Sequence, residues 1–413
     1  MVRGEGMKRV VVFLLMVLLP LLSLSFPQVQ DWPQFRGPEG QGHASARNLA
    51  LEWSETKNIV WKVPIPGNGW SSPVVQGDRI WLTTAVDEGR SLRAICLRRN
   101  DGSILYDLEV FRQDKVGPIH SKNSHASPTP ILEGDRIYVH YGAFGSACLR
   151  SDGSILWRTQ LQYEHRHGPA SSPVLFQDIL IYNCDGTDVQ FVTALEKDTG
   201  KVRWKKPRDG RMAYSTPLAI DVEGNPQVVS TGGDRVVTYD PRSGEEIWWL
   251  RYDGFSLVPR PVYGLGLVFI CSGYGAPVLY AIRPDGKGDV TDSHVAWSLR
   301  RGVPLNPSPL LVGTELYLIS DRGIASCLDG RTGKLYWQER LGGQFSASPI
   351  YADERIYFLN EEGGTTVIGP GTEFKKLGTN QLAGRTLSSM SVHGRAIYLR
   401  TDDHLYRIEK PSS

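Results

Sequence analysis

The sequence has few cysteines and no dominant charge. It contains 5 Cys in 413 residues, with no Cys-x-x-Cys pair and no two adjacent cysteines. This spacing excludes the common zinc-ribbon patterns and a c-type haem attachment motif. Lys and Arg number 46 against 44 Asp and Glu, for a net charge of +2. The charge balance therefore gives no reason to expect binding to nucleic acid or to an anionic membrane surface.

Motifs that mark catalytic sites are absent as well. There is no Gly-rich phosphate loop, no His-Glu-x-x-His and no Gly-x-Ser-x-Gly elbow. These motifs place nucleophiles, metal ligands or phosphate-binding amides at fixed spacings. The sequence therefore predicts no catalytic residue and no metal ligand. A hydrolase or lyase that uses loop histidines stays open on residue types alone.

Only the N-terminus carries a long apolar run. Arg3, Lys8 and Arg9 precede the apolar residues 10–24, and Ser23 and Ser25 supply small residues for cleavage. This order is typical of a secretory signal, and the run is short for a span of about 20 residues. We predict a signal peptide over residues 1–25 and one domain over residues 26–413. The protein is then exported to the periplasm or beyond, without a membrane span; an uncleaved anchor is the alternative.

A repeat dominates the rest of the chain. Its 44 Gly and 26 Pro indicate many tight turns and short elements. A small residue followed by a strand, mostly as Ser-Pro or Thr-Pro, recurs at spacings of 57, 43, 44, 44, 48, 40 and 41 residues. The aligned positions are Ser72, Thr129, Ser172, Thr216, Arg260, Ser308, Ser348 and Ser389. Eight copies at this period predict a β-propeller or a solenoid.

A second landmark favours the propeller. Residues 194–204 combine a strand, a Thr-Gly turn and a strand ending in Trp204, and the pattern returns at Trp248 and Trp337. The copies ending at Trp157 and Tyr106 use Asp-Gly turns, a hairpin signal. Each unit therefore holds four short strands, labelled A to D from the centre outward. The recurring Trp is predicted to pack against a neighbouring blade.

The two ends of the chain predict how the ring closes. The last repeat lacks a fourth strand, whereas residues 59–63 have the character of a D strand with no blade before them. Pairing of residues 59–63 with the strand near 404–408 would leave no open edge between blades. The predicted fold is all-β: an eight-bladed propeller of four-stranded antiparallel blades, closed by the N-terminal strand.

These motifs resemble those of a known superfamily. The unit at residues 194–204 is similar to the repeat of the pyrroloquinoline-quinone (PQQ) dehydrogenase-like propellers. Residues 32–38 and 122–128 resemble the opening segments of its exported bacterial members, the PQQ-like repeat proteins. The superfamily includes quinoprotein alcohol dehydrogenases and a non-enzymatic propeller lipoprotein of the outer-membrane β-barrel assembly machinery.

For an alcohol-oxidising member, the resemblance implies PQQ stacked on a disulfide between adjacent cysteines, above a calcium held by Glu, Asn and Asp. This chain has no adjacent cysteines, and no such oxygen set is visible by spacing. We predict solvated turn positions, and not calcium ligands, for four aspartates: Asp185, Asp188, Asp402 and Asp403. We predict no cofactor, with PQQ and calcium as the alternative. The five cysteines are predicted to be buried free thiols.

The loops before the A strands supply the candidate site. In a closed propeller these loops meet at one mouth of the central channel, where polar and aromatic side chains form a pocket. The predicted ligand-binding residues are Trp70, His125, His167, Tyr214, Arg260 and Arg385. The predicted function is a monomeric, exported, non-catalytic scaffold that binds a protein or small molecule there. A PQQ-dependent oxidoreductase is the alternative.

Overall fold

A computed structural model describes residues 1–2 and 29–411. The predicted signal peptide over residues 1–25 lies, from residue 3 onward, outside the described residues. The helices of the described part are two short 3-10 turns, Asp87–Gly89 and Gly142–Phe144. Neither has the length or apolar character that a membrane-spanning helix needs, and the described residues contain no other candidate.

The described chain forms eight antiparallel blades, which confirms the predicted all-β propeller. Strands A to D of blades 1 to 4 are Val74–Gln76, Arg79–Val86, Ser91–Arg98 and Ile104–Arg112; Ile131–Glu133, Arg136–His140, Ser146–Arg150 and Ile155–Thr159; Val174–Phe176, Ile179–Asp185, Gln190–Glu196 and Val202–Pro207; Leu218–Val222, Asn225–Thr231, Arg235–Tyr239 and Glu246–Arg251. Those of blades 5 to 8 are Val262–Gly264, Leu267–Cys271, Leu279–Ile282 and Val295–Leu299; Leu310–Val312, Glu315–Ile319, Ile324–Asp329 and Leu335–Arg340; Ile350–Ala352, Arg355–Leu359, Gly364–Gly369 and Lys375–Gln381; Ser391–His393, Ala396–Arg400, His404–Ile408 and Ile59–Pro64.

The ring closes as predicted. Ile59–Pro64 pairs antiparallel with His404–Ile408, so that Trp61 lies opposite Arg407 and Val63 opposite Leu405. The first and last parts of the described chain thus share blade 8. This pairing satisfies the backbone groups that an open third strand would expose at its outer edge.

Blade 4 departs from the four-strand pattern. Gly288–Asp289 adds a fifth strand, parallel to strand D of this blade, with Gly288 opposite Trp248. This strand comes from the insertion between strands C and D of blade 5. Val290, which follows it, is 1% exposed and packs in the apolar cluster between blades 4 and 5. The insertion is therefore held by burial of Val290 as well as by backbone pairing.

The D-strand tryptophans join neighbouring blades. The Trp204 indole Nε1 donates to the carbonyl of Pro241, in the C–D turn of the next blade, at 2.8 Å. Its ring lies on Gly244 of that turn, where an added Cβ would come within 2.6 Å of the ring. Gly244 has φ of +71°, a conformation that glycine adopts without strain. The recurring Gly and Trp of the repeat thus contact each other across the blade interface.

The same bond recurs at four more interfaces. The Trp Nε1 donates to a C–D turn carbonyl of the following blade in the pairs Trp61–Arg99, Trp157–Lys197, Trp297–Gly330 and Trp337–Gly371. Trp248 differs, because its Nε1 donates to the side-chain oxygen of Gln227 in its own blade, and Gln227 donates on to Pro284. Blade contact of the recurring Trp, predicted from the repeat, is therefore observed in the structure.

Each D strand is also bulged beside the repeat's aromatic position. In all eight blades the register between strands C and D shifts by one residue at this position. Examples of the extra residue are Val60, before Trp61, and Leu156, before Trp157. A bulge bends an edge strand and interrupts its row of free backbone groups. Such bulges hinder pairing with a strand of another molecule.

Candidate ligand-binding site at the channel mouth

The Ser-Pro landmark forms a ring of hydrogen bonds around the central channel. The backbone N–H of Ser72 donates to the hydroxyl of Thr129 in the next blade at 3.0 Å, and Thr129 N–H donates to Ser172 at 2.9 Å. Equivalent bonds join Ser172 to Thr216, Arg260 to Ser308, Ser308 to Ser348 and Ser348 to Ser389. We call these eight aligned positions the hydroxyl ring, although within residues 29–411 no equivalent bond runs from Thr216 to Arg260, which has no hydroxyl, or from Ser389 to Ser72.

A segment preceding the blades closes one end of the channel. Trp32 pairs with Val75 of blade 1, and the Pro33 carbonyl accepts the Leu132 amide of blade 2. The Arg36 guanidinium then donates to Pro309 of blade 6. Because its contacts pass from the inner strands of blades 1 and 2 to those of blade 6, this segment crosses the channel. We call residues 32–44 the plug.

Arg260 holds the plug from below the mouth. Its Nη1 donates to the carbonyl of Phe35 at 2.8 Å, and its Nε donates to Pro217 at 3.1 Å. Gly40 lies on the guanidinium, too close for any side chain to fit there. Arg260 is 2% exposed, and burial lowers its pKa to about 9. The arginine thus occupies the blade 5 position of the hydroxyl ring and anchors the plug.

Above the plug lies a cavity of about 380 Å³, open at the loop face. Phe35 of the plug contributes to its lining, and six members of the hydroxyl ring line it as well: Thr129, Ser172, Thr216, Ser308, Ser348 and Ser389. Aromatic and apolar side chains from the loops complete the walls: Trp70, Tyr214, Phe255, Tyr274 and Leu387. The cavity is therefore blind, with hydroxyl groups around its inner part and aromatic rings in its walls.

Two histidines stand together on the blade 2 side of this cavity. The rings of His120 and His167 meet edge to face with centroids 5.5 Å apart. The Asn123 amide donates to the His167 carbonyl at 2.7 Å, which joins the two loops. His167 also lies 6.0 Å from the Tyr214 ring. Partial burial, and the neighbouring His120, lower the pKa of His167, so its neutral form is favoured near neutral pH.

An ion pair connects distant loops at the mouth. Lys122, from the loop between blades 1 and 2, donates to Glu361 of blade 7 at 2.7 Å. Ser346 donates to the same carboxylate oxygen at 2.6 Å. Arg385 lies 3.9 Å from the other oxygen of Glu361. The Glu361 side chain is 10% exposed, so its charge is largely directed at these partners.

The structure brings half of the predicted site residues into the cavity lining. Trp70, His167 and Tyr214 line it. Arg385 lies at the rim, with its guanidinium 5.9 Å from the Trp70 ring. His125 does not line the cavity: it is 7% exposed and packs on Phe144 and against Gly89.

Arg260 also lies outside the lining, since its side chain runs to the plug. Two of the six predicted residues lie elsewhere because their side chains point away from the channel. Sequence spacing places a residue in a loop, but only packing decides whether its side chain turns into the channel or under the loop. The lining residues not among the predicted six include Phe35, His120, Lys122, Phe255 and Tyr274. Phe35 belongs to the segment that resembles exported family members, and Lys122 begins the second such segment.

The residues of the cavity do not fit a calcium-held quinone. No Asp or Glu side chain lines the cavity, so the hard carboxylate oxygens that Ca²⁺ prefers are missing from it. Within residues 29–411, no three His, Cys, Asp or Glu side chains come together in a way that could hold a metal ion. The five cysteines are free and buried, in different blades. A disulfide platform of neighbouring cysteines is therefore not built here.

One of the expected turn carboxylates has a structural role. Asp185 is 6% exposed at the end of strand B of blade 3, not a solvated turn residue. It forms a buried ion pair with Arg208, whose Nε lies 3.0 Å from it, and Arg208 also donates to Ser230 of blade 4. The sequence-based expectation was wrong because the partner, Arg208, lies 23 positions further along the chain and is itself bound by Ser230 of the next blade.

Comparison with known proteins gives the family. The family model described as outer membrane protein assembly factor BamB matches residues 43–179, 146–221 and 190–413. The outer membrane protein assembly factor BamB of Shewanella oneidensis is 24% identical over 229 residues, which cover 50% of this chain and 53% of that protein. The matched part thus spans about half the length of this relative.

Solved structures agree on the fold. BamB from Moraxella catarrhalis superposes with a TM-score of 0.62 at 14% identity, covering 86% of this chain and 98% of that one. A quinohemoprotein alcohol dehydrogenase from Comamonas testosteroni gives a TM-score of 0.67 at 11% identity, covering 93% and 82%. Both likenesses confirm the PQQ-like propeller and no more than that. With the family model spanning residues 43–413, the chain belongs to the PQQ-like propeller family described as outer membrane protein assembly factor BamB.

Proposed function

We propose that this protein is an exported, non-catalytic scaffold of the cell envelope that binds a partner protein through its loop face and channel mouth. The observation that carries the proposal is the blind cavity at this mouth, with aromatic walls and without carboxylates in its lining. Aromatic side chains are enriched where proteins bind one another. The relatives named as assembly factors of outer membrane proteins support a role with protein partners.

The two faces of the ring differ in a way that supports the loop face as the binding surface. On the opposite face, the C–D turns repeat and their glycines are covered by tryptophan rings. On the loop face, Tyr274 is 38% exposed and stands beside Phe255 at a ring distance of 6.4 Å. Function in repeat folds is generally carried by such variable loops on a rigid framework.

Site-specific photo-cross-linking in intact cells tests this proposal. The photoreactive residue p-benzoylphenylalanine is placed at Tyr274 on the loop face, or at Arg242 in a C–D turn of the opposite face. We expect one defined protein adduct from position 274 and none from position 242. The adduct should disappear when His167→Ala and Tyr214→Ala are combined in the same chain, with the melting temperature changed by less than about 3 °C.

Two results would contradict the proposal. Adducts formed only from position 242 would move the binding surface to the turn face. Saturable binding of PQQ with Ca²⁺ to purified protein, together with dye-linked alcohol oxidation, would replace the scaffold by a quinoprotein oxidoreductase. Both measurements use the full mature chain.

A further inference from the structure

The mouth cavity has an unusual balance of charge. Its lining includes Lys122, His120 and His167 but no carboxylate. Glu361, which approaches the mouth, is buried and is bound by Lys122 and Ser346. Lys122 and Glu361 neutralise each other, so a ligand in this cavity meets hydrogen-bond donors, and no negative side chain in the lining repels an anion.

The hydroxyl ring turns donors toward the ligand space. The six ring hydroxyls that line the cavity each accept a backbone N–H from the preceding blade: Thr129, Ser172, Thr216, Ser308, Ser348 and Ser389. Ser348 donates to Ser308 at 3.1 Å, and the other five hydroxyls donate to no group within residues 29–411. Because the O–H groups of these five side chains are not used within the described protein, they are left to donate to a ligand. Such a set of donors complements an acceptor with several oxygen atoms.

Two buried arginines below the hydroxyl ring add positive charge. Arg36 and Arg260 are 1% and 2% exposed, and within residues 29–411 both guanidinium groups donate only to backbone carbonyls and not to a carboxylate. The Arg36 atoms Nε and Nη1 have no hydrogen-bond partner among these residues. An uncompensated charge in a low-dielectric interior acts over several ångströms. Arg260 reaches Phe35, which lines the cavity, so its field extends to the cavity floor.

The shape of the cavity limits what can enter. The plug closes the far end of the channel, so a ligand enters at the loop face and must end above Phe35. The walls carry the rings of Trp70, Tyr214, Phe255 and Tyr274, which suit a flat apolar body. A volume of about 380 Å³ falls within the range of small-molecule sites. A polypeptide could insert one end here, but it could not pass through.

We infer that this cavity binds the carboxylate end of a ligand with a flat or apolar body, with the carboxylate at the hydroxyl ring and the body between the aromatic rings. This inference rests on the proposed function and names the chemistry that its site recognises. The recognition needs no calcium. The same chemistry is offered by a free aromatic carboxylic acid and by the C-terminal carboxylate of a partner protein.

A pair of probes that differ in charge tests the inference. Benzoate and benzyl alcohol are titrated into the mature chain in low-salt buffer with EDTA, and binding is followed by ligand-observed NMR. We expect benzoate to bind at least about 10-fold more tightly than benzyl alcohol, as a charged hydrogen bond in a partly desolvated site adds 1.4 kcal/mol or more. Equal affinities for the two probes would overturn the inference.

A matched pair of variants keeps the test independent of folding. Tyr274 lines the cavity and is 38% exposed, so both Tyr274→Glu and Tyr274→Gln are expected to fold. The two new side chains have the same size, but only Glu adds a negative charge to the wall. We expect benzoate affinity to be at least about 3-fold lower in Tyr274→Glu than in Tyr274→Gln, with benzyl alcohol unchanged between them. Equal benzoate affinity in the two variants would contradict an anion site at this mouth.

A third arm identifies the source of the carboxylate. An acetylated tetrapeptide ending in Leu is compared with its C-terminal amide in the same assay. Preference for the free carboxylate supports a protein terminus as ligand, whereas binding of benzoate alone supports a free acid; binding of neither overturns the inference. If position 274 still cross-links a partner protein while no carboxylate binds, the proposed function stands and only this inference fails.

Discussion

The two faces of the ring follow different rules. On the turn face, five tryptophans make the same bond to the next blade, from Trp61 to Trp337, and glycines lie under four of the rings. On the loop face, the connections before the A strands differ in length and residues from blade to blade. Lys122 reaches Glu361 across this face, a contact that no other blade repeats. Packing between blades therefore fixes the repeat, while the loops, which do not take part in that packing, differ between blades and form a specific cavity.

The largest effect should come from removing a tryptophan on the turn face. Trp204→Ala deletes an indole that is 7% exposed and its bond to Pro241, leaving a cavity between blades 3 and 4. We expect a loss of about 3–5 kcal/mol in the free energy of unfolding, measured by denaturant titration. His167→Ala on the loop face is the matched control and should cost less than about 1 kcal/mol. If the two variants lose equal stability, the division between the faces is wrong.

Lowering the pH should destabilise the loop side through its buried histidines. Burial lowers the pKa of His165 to about 4 and that of His140 to about 3, against 6.5 for an unperturbed histidine. The unfolded chain therefore binds more protons, and stability is fully present above about pH 6.5 and is lost as the pH falls toward 4. Each histidine contributes a slope of about 1.4 kcal/mol per pH unit in this range.

Denaturant titrations between pH 7 and pH 4.5 measure this slope. His140→Gln should flatten it, because the titrating group is gone while a polar side chain remains near Ser146. A slope that is unchanged in His140→Gln would show that other groups dominate the acid response. The variant thus separates the contribution of His140 to the pH dependence of stability from that of the other titrating groups.

A pair of glycines on the turn face separates backbone strain from blade packing. Gly200 has φ of +70°, and an added Cβ would lie 2.5 Å from the Trp157 ring of the preceding blade. Gly77 has φ of +55°, and nothing lies within 4 Å of an added Cβ. Both alanine variants pay for the left-handed conformation, about 1 kcal/mol or more. Gly200→Ala should cost about 1–3 kcal/mol beyond this, because the ring must move.

Thermal unfolding of the two variants gives this difference directly. Equal losses for Gly77→Ala and Gly200→Ala would mean that the ring moves without cost. The contact between Gly200 and the Trp157 ring would then contribute little to the packing between blades on the turn face.

The smallest effect is expected between the two faces, at the hydroxyl ring. Ser172→Ala leaves the buried Thr129 N–H without its acceptor, which should cost about 1–2 kcal/mol. Ser172→Thr should restore most of this stability, because Thr216 occupies the same position in the next blade. Denaturant unfolding of the three proteins is the measurement. Similar losses in both variants would assign the effect to packing and not to the hydrogen bond.

The repeat could be predicted from the sequence because the residues that define it lie close together in the chain, within one blade. A Thr-Gly turn, a Trp four residues after the Gly, and a Ser before Pro each occur at fixed spacing within a blade. Ring closure followed from a missing strand at one end and a spare one at residues 59–63, since unpaired edges are unfavourable. The fifth strand of blade 4 was not predicted, because Gly288–Asp289 has no strand-like composition. It forms a strand only because the folded ring brings it beside Trp248 and Trp249 of the neighbouring blade.

The sequence predicted a pocket at the channel mouth but only part of the residues that line the cavity there. Loop position was enough to select Trp70, His167 and Tyr214, which line the cavity. It was not enough for His125 and Arg260, which turn into the protein. Phe35 could not be chosen from the repeat, because it lies in the plug, outside every blade. The only sequence signal for it was the resemblance of residues 32–38 to other exported propellers.

The sequence alone determined the all-β repeat, the number of blades and the pairing of the two ends, because these depend on short-range periods and on the need to satisfy strand edges. The tertiary structure decided which charges are buried, which loops touch, and that a segment before the blades closes the channel. Arg260 illustrates the reason: one strand-entry position carries a cation where its equivalents carry small side chains, and only the closed ring brings the Phe35 carbonyl to it. Contacts between residues 225 positions apart along the chain leave no local pattern from which they could be read.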